Sequence, residues 1–257
     1  MKGMNTMRFL AVFAIVGFFG FINAKEWRET PSVEKRLETQ INIAQKIAEI
    51  KAEPVEVIPA NLGEMKFKIL ADEDGFYALY LGDDKTNVSI NSPADFFSAS
   101  FASMEAFNKA YEIFTQHNAS MRESKILKIF KTYPQYVLDF KATSKTQTTL
   151  YMLLTPFCEP CNEKIRELAR LTEQAHIKII FVAANNEAYH KVMSLYAAMQ
   201  GYKHKNQEDK IAKLQTLIDD IAFLPPVKDD DKNAMDMYKE LAKARISYLP
   251  YIIETSK

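Results

Sequence analysis

Cys158 and Cys161 are the only two cysteines in the chain, and two residues, Glu159 and Pro160, separate them. A C-x-x-C pair supports one chemistry above others: exchange of electrons between a dithiol and a disulfide. The outer sulfur, Cys158, would attack a substrate disulfide, and Cys161, one helical turn later, would resolve the mixed disulfide. Three plainer readings compete. A static disulfide across one helical turn closes a tiny loop and stabilises little. Half a zinc site lacks its second pair, since there are no further cysteines and His117, His176, His190 and His204 show no ligand spacing. Haem attachment needs His directly after the second Cys, and Asn162 stands there. The dithiol reading calls for no metal and no cofactor, because the sulfurs carry the electrons themselves.

Exchange chemistry needs the first sulfur held at a helix N-terminus, where unpaired N–H groups and the macrodipole favour a thiolate. The flanking sequence provides for this. An apolar run, Leu150 to Leu154, predicts a strand leading into Thr155-Pro156-Phe157-Cys158. Glu163 to Gln174 predicts a helix leading out, with Ile165, Leu168, Ala169 and Thr172 at spacings of three and four. Upstream, Tyr136 to Phe140 is a strand pattern, and downstream Ile177 to Ala184 predicts a buried parallel strand. Together they predict a βαβ unit with the thiols where its first strand meets the helix. Residues 185–243 form a helical insert: Asn185 to Phe223 is helical in two pieces split near Gly201 and closed by Pro225-Pro226, and a last helix carries Met235, Tyr238, Leu241 and Ala242.

In Ile246-Ser247-Tyr248-Leu249-Pro250-Tyr251, a proline flanked by apolar residues ordinarily opens a strand. Beside a dithiol, the alternative is a cis-proline loop whose Leu249 backbone pairs with an extended substrate. Asp229, Asp231, Asn233 and Glu240 match EF-hand positions, but Ala234 occupies the place that requires glycine, and helix capping explains the run without calcium. The sequons at Asn87 and Asn118 are short enough to arise by chance.

The rest of the chain describes delivery and support. Lys2 and Arg8 precede an apolar stretch, Phe9 to Phe21, and Ile22-Asn23-Ala24 resembles a cleavage site, so residues 1–24 are expected to be a signal peptide. Its apolar core is too short to span a bilayer comfortably; retention as an anchor is the alternative to cleavage. Setting aside Lys2 and Arg8 leaves 31 basic against 33 acidic residues, a balance that points away from nucleic acid and anionic membranes. Residues 25–92 are expected to form a small α+β domain. Thr30-Pro31 opens its helix, which stops at Glu53-Pro54, and three short strands follow around Met65–Leu70, Phe76–Leu81 and Val88–Ile90. About 60 residues bury little core alone, so pairing with a second copy or docking elsewhere is expected.

Residues 93–134 predict a helical connector: Ser92-Pro93 opens one piece, with a stripe of Phe97, Phe101, Met104, Tyr111 and Phe114, and a capping-box pattern at Ser120 and Glu123 opens another. The stripe is ordinary packing or, alternatively, a groove for unfolded substrate. Residues 135–257 form the thiol-bearing domain.

These features together resemble the thioredoxin-fold family, and within it the bacterial periplasmic DsbC/DsbG group of thiol:disulfide interchange proteins. The resemblance rests on the signal peptide, the small domain, the helical linker, Tyr136-Val137-Leu138-Asp139-Phe140-Lys141-Ala142, Cys158-Glu159-Pro160-Cys161, the insert, and Leu249-Pro250. It implies a periplasmic V-shaped homodimer joined through the small domains. It further implies disulfide isomerase, reductase or chaperone work on misfolded or disulfide-bonded exported proteins, with a membrane thiol reductase of DsbD type keeping the dithiol reduced. Two departures stand out. The intervening dipeptide is Glu-Pro, where DsbC and DsbG carry Gly-Tyr or Pro-Tyr; it is more similar to ResA-type reductants of apocytochrome c maturation. Glu159 beside Cys158 is expected to oppose the thiolate by like charge and favour a reducing poise. The family also continues after the proline with a further strand and helix, whereas seven residues follow Pro250 here, which implies an edge and face in need of cover. A redox-inert dimeric chaperone or scaffold is the alternative from another functional class.

Overall fold

The computed structural model describes residues 53–61, 65–82, 88–90, 101–227 and 231–256. The expected signal peptide, the first helix after Thr30, the sequon at Asn87, the Ser92-Pro93 cap with Phe97, and Asp229 lie outside them. The chain divides into two compact units: residues 1–70 with 78–107, and residues 71–77 with 108–257.

The first unit is built on a four-stranded sheet in the order β1-β2-β3-β4: β1 (Glu53–Pro59), β2 (Lys66–Ala71), β3 (Tyr77–Gly82) and β4 (Val88–Ile90). The meander expected from period-two alternation is present, with Phe67 and Ile69 inward and Lys66 outward on β2. β1 is an additional strand. Its two prolines and exposed Val55 and Val57 give it no clean alternation, and the sequence pattern marks only a helix stop there. Phe67 stacks on Phe101 at 4.0 Å between ring centroids, and Phe101 meets Phe107 edge-on at 5.5 Å.

A single helix, α1 (Met104–Thr132), belongs to the second unit from Asn108 onward and is capped by Ser103, whose hydroxyl accepts from the Ala106 N–H. The capping-box pattern at Ser120 and Glu123 does not interrupt it. Thr132 ends the helix two residues before Pro134. Buried Ile126, Ile129 and Phe130 make the stretch expected to act as a connector part of this unit's core. The turn Ala71–Tyr77 also belongs here. The Asp72 carboxylate accepts from the Asp74 and Phe76 N–H groups, and Gly75 takes φ +82°, a region open to glycine at no steric cost. Tyr77 stacks on His117, and the Asn118 amide, part of a sequon, both donates to and accepts from the Tyr77 backbone.

The sheet of this unit has the order β5-β7-β6-β8, from β5 (Leu138–Phe140), β6 (Thr148–Leu154), β7 (His176–Phe181) and β8 (Tyr251–Ser256). β6 and β7 are parallel, from Thr149 opposite His176 to Leu154 opposite Phe181, while β5 and β8 run antiparallel to their neighbours. The crossover from β6 to β7 is α2 (Glu159–Arg166) with a short α3 (Leu168–Leu171). This βαβ unit, flanked by antiparallel strands, is a thioredoxin-like fold. Between β7 and β8 lie α4 (Asn186–Gln200), α5 (Gln207–Asp219) and α6 (Lys232–Lys243), the expected helical insertion.

Each inserted helix carries its own cap: Asn185 accepts from Ala188 N–H, Asn206 from Asp209 N–H, and Asp231 from Asn233 and Ala234 N–H. Their apolar stripes, Val192-Leu195-Met199, Ile211-Leu214-Ile218 and Ala234-Met237-Leu241, close on the same core as Met152, Ile179 and Phe181. Burying each large aliphatic side chain there contributes about 1.5–3 kcal/mol. Asp231 thus acts as a helix cap, and its other carboxylate oxygen accepts from the Tyr136 hydroxyl at 2.5 Å.

Candidate functional site

The sheet register determines what meets at the thiols. β6 leaves the sheet at Leu154, and β8 enters it at Tyr251, opposite Leu153. The residues just after β6 and just before β8 therefore emerge side by side at the same end of the sheet. Thr155 to Cys158 come from the first strand and Leu249-Pro250 from the second. The Leu249–Pro250 peptide is cis, and Cys158 Sγ lies 3.9 Å from the Leu249 carbonyl oxygen. Four of the residues singled out from sequence, Cys158, Cys161, Leu249 and Pro250, meet at one sheet end although about 90 residues separate the two pairs.

Cys158 is the N-cap of α2, with φ −130° and ψ 118°, and its carbonyl accepts from the Cys161 and Asn162 N–H groups at 3.0 Å each. Its sulfur makes no cap hydrogen bond and is partly exposed at the positive end of the helix. Pro160, within the first turn, removes an N–H that no intrahelical acceptor would have used. Cys161 shares the inward helix face with Ile165 and Leu168, and all three are fully buried. Burial pushes the Cys161 thiol up to about 12 from an ordinary 9.0; a backbone hydrogen bond at Thr155 opposes this, and the neighbouring Cys158 sulfur adds to it. Both cysteines are free thiols. The environment separates them: an accessible sulfur at a helix terminus, and a shielded one that holds its proton.

Glu159, read from sequence only as a like charge beside Cys158, has a cationic partner. Its carboxylate is 2.6 Å from the Arg166 guanidinium, which also lies 3.9 Å from Asp219 at the end of α5. The Glu159–Arg166 pair raises the hold of Arg166 on its proton, through the hydrogen bond first and the charge second. The signal was present as opposite charges seven residues apart, two turns of one helix, but only the insert's placement shows that Asp219 joins them.

Phe157 and Tyr248 also carried no signal beyond their hydrophobicity. They are exposed, at 51% and 64%, one residue before Cys158 and two before Pro250. Pro160, in the first turn of α2, is exposed as well. Asn162 donates to the Pro156 carbonyl at 3.3 Å and ties the turn to the helix, while its Oδ1 has no hydrogen-bond partner among the described residues. Among those residues no cluster of three His, Cys, Asp or Glu could hold a metal ion, and no helix is long and apolar enough to cross a membrane.

No family model matches the chain, and no curated protein matches it. Among solved structures it is similar to Helicobacter pylori DsbG, at 17% identity and TM-score 0.49, over 84% of this chain and 99% of that one. It is also similar to the thiol-disulfide exchange protein α-DsbA2 from Wolbachia pipientis, at 14% identity and TM-score 0.30, over 53% of this chain and 87% of that one.

Proposed function

We propose that this protein is a thiol:disulfide oxidoreductase and isomerase acting on exported proteins in an oxidising compartment such as the periplasm. The observation that carries the reading is the asymmetric thiol pair beside the Leu249 carbonyl: Cys158 partly exposed, Cys161 buried, and 3.9 Å from the first sulfur to the carbonyl. The Cys158 thiolate attacks one sulfur of a substrate disulfide, forms a mixed disulfide and expels the other substrate sulfur as a thiolate. Two outcomes follow. If that thiolate attacks a different substrate disulfide and a substrate thiol then displaces Cys158, the substrate is isomerised and the enzyme returns unchanged. If Cys161 instead gives up its proton and attacks the Cys158 sulfur, the substrate leaves with two electrons more and the enzyme becomes the Cys158–Cys161 disulfide. That disulfide then needs a donor of two electrons, for which a membrane thiol reductase of DsbD type is the chemical fit.

Leu249 and Pro250 serve as the substrate-binding loop, with Phe157 and Tyr248 supplying apolar contact. Glu159 and Pro160 modulate the pair. The small domain, 25–92, is proposed as the dimerisation element because a unit that size buries little core by itself. Replacing Cys158 by Ser is the direct test, with insulin reduction and refolding of a scrambled disulfide protein as readouts. Loss of both is expected, and unchanged rates overturn the proposal. Glu-Pro between the thiols favours one second reading, a dedicated reductant of apocytochrome c; absence of any isomerase activity together with a very low reduction potential selects it.

A further inference from the structure

We infer that Arg166 is a positioning residue for the dithiol: by holding the Glu159 carboxylate, it offsets the negative charge inserted beside Cys158 and so sets how oxidising the pair is. The inference rests on the exchange function proposed above and names a determinant of it outside the C-x-x-C turn.

The geometry is specific. Side chains on a helix lean toward its N-terminus, so an arginine in the last turn of α2 reaches back over the helix surface toward the first turn. Arg166 Nη1 meets Glu159 Oε1 at 2.6 Å, and its other terminal nitrogen faces Asp219 Oδ1 at 3.9 Å. Gln215, one turn before Asp219 on α5, donates to the Ile165 and Arg166 carbonyls at 3.2 and 3.3 Å. The inserted helix is therefore fastened at the C-terminal end of α2, where Arg166 is rooted. One guanidinium bridges a carboxylate in the thiol turn and a carboxylate on the insert.

The consequence has a sign. An unpaired Glu159 next to Cys158 opposes the thiolate, which destabilises the reduced form and makes the pair more reducing. Pairing it with Arg166 removes most of that penalty. The chain thus carries a dipeptide that pushes toward reduction and a cation that pushes back. Arg166 feels the charge of Glu159 most strongly, with Asp219 and Glu163 adding to it. The other cation of α2, Lys164, pairs with Glu167 instead. All three members of the bridge are more than half exposed, so the effect is that of a surface ion pair: about 1.5- to five-fold in an equilibrium constant. Added salt shrinks it, because the Debye length is about 10 Å at 0.1 M.

The test uses the full chain. Arg166→Gln, Arg166→Lys, Glu159→Gln and the Glu159→Gln/Arg166→Gln double variant are equilibrated with glutathione buffers to obtain reduction potentials. The rate at which iodoacetamide alkylates Cys158 near neutral pH is measured on the same reduced samples. Arg166→Gln is expected to become about 5–20 mV more negative, which is the same fold-change expressed as a two-electron potential, and to alkylate more slowly. Arg166→Lys restores most of the difference, and 1 M salt abolishes it. In the Glu159→Gln background the Arg166→Gln shift is expected to vanish. An unchanged potential in Arg166→Gln overturns the inference, and so does a shift of equal size without Glu159, since the guanidinium would then act on the sulfur directly. Wild-type thiols that never equilibrate with glutathione overturn the exchange function itself and this inference with it.

Discussion

Cys161 keeps its proton because nothing polar enough replaces water around it: it is fully buried among Ile165, Leu168 and the sheet residues. That has a measurable cost in alkali. The folded thiol titrates near 12, well above the ordinary 9.0, so its contribution to stability is fully present below about pH 9 and is lost as pH rises toward 12. Urea unfolding of the reduced protein at roughly pH 8 and pH 10 should show a loss of about 1.4 kcal/mol that Cys161→Ala does not show, beyond whatever the tyrosines contribute to both. In the proposed exchange cycle, the same burial means that Cys161 resolves the mixed disulfide only once it is deprotonated. Cys161→Ser is accordingly expected to accumulate a substrate-linked species, visible on non-reducing gels and cleared by dithiothreitol. Cys158→Ser is expected to accumulate none.

At the scale of elements, the inserted helices are tied to the rest of the thiol-bearing unit through a few polar attachments. Asp231 is one: it caps α6 and accepts from the buried Tyr136 hydroxyl at the start of the sheet domain. Asp231→Ala removes a cap, worth about 0.5–2 kcal/mol, and leaves a buried hydroxyl without its acceptor, a further ~1–3 kcal/mol. Thermal unfolding should show a clearly larger loss than Asn206→Ala, which removes only the cap of α5. Gly75 tests the turn Ala71–Tyr77 in the same way. At φ +82° a β-carbon is strained, and it would stand 2.9 Å from Met121 Cε. Gly75→Ala is expected to cost about 1–2 kcal/mol in chemical denaturation, while Gly201→Ala, where the nearest atom is 3.8 Å away and φ is negative, costs little.

For the whole molecule, the proposal makes oligomeric state part of the function. Two thiol pairs in one particle engage one misfolded chain more effectively than a single pair, because the second contact is intramolecular. Sedimentation of the chain without residues 1–24 is expected to give twice the monomer mass at micromolar concentration. A monomer would remove dimerisation from the account while leaving the exchange chemistry intact. A redox-inert chaperone predicts a different pattern, in which changing both cysteines to serine leaves suppression of aggregation untouched and nothing else is lost.

Much of the thiol domain was legible from local pattern. A buried parallel strand, a helix with apolar residues at spacings of three and four, and C-x-x-C at their junction each follow from side-chain periodicity and the needs of a helix N-terminus. The proline at 250 was legible for the same reason, because a cis bond is almost confined to proline. β1 was not, since its prolines hide strand alternation, and the Ser120–Glu123 pattern misled because a capping box inside a long run of helix formers need not break it. What sequence could not supply were meetings between distant segments. Leu249 reaches Cys158 because β8 pairs antiparallel with β6 in one register, and Arg166 gains Asp219 because the insert folds back on α2. Periodicity fixes which face of an element is apolar; which element that face meets depends on packing the whole chain at once, and only the tertiary structure decides it.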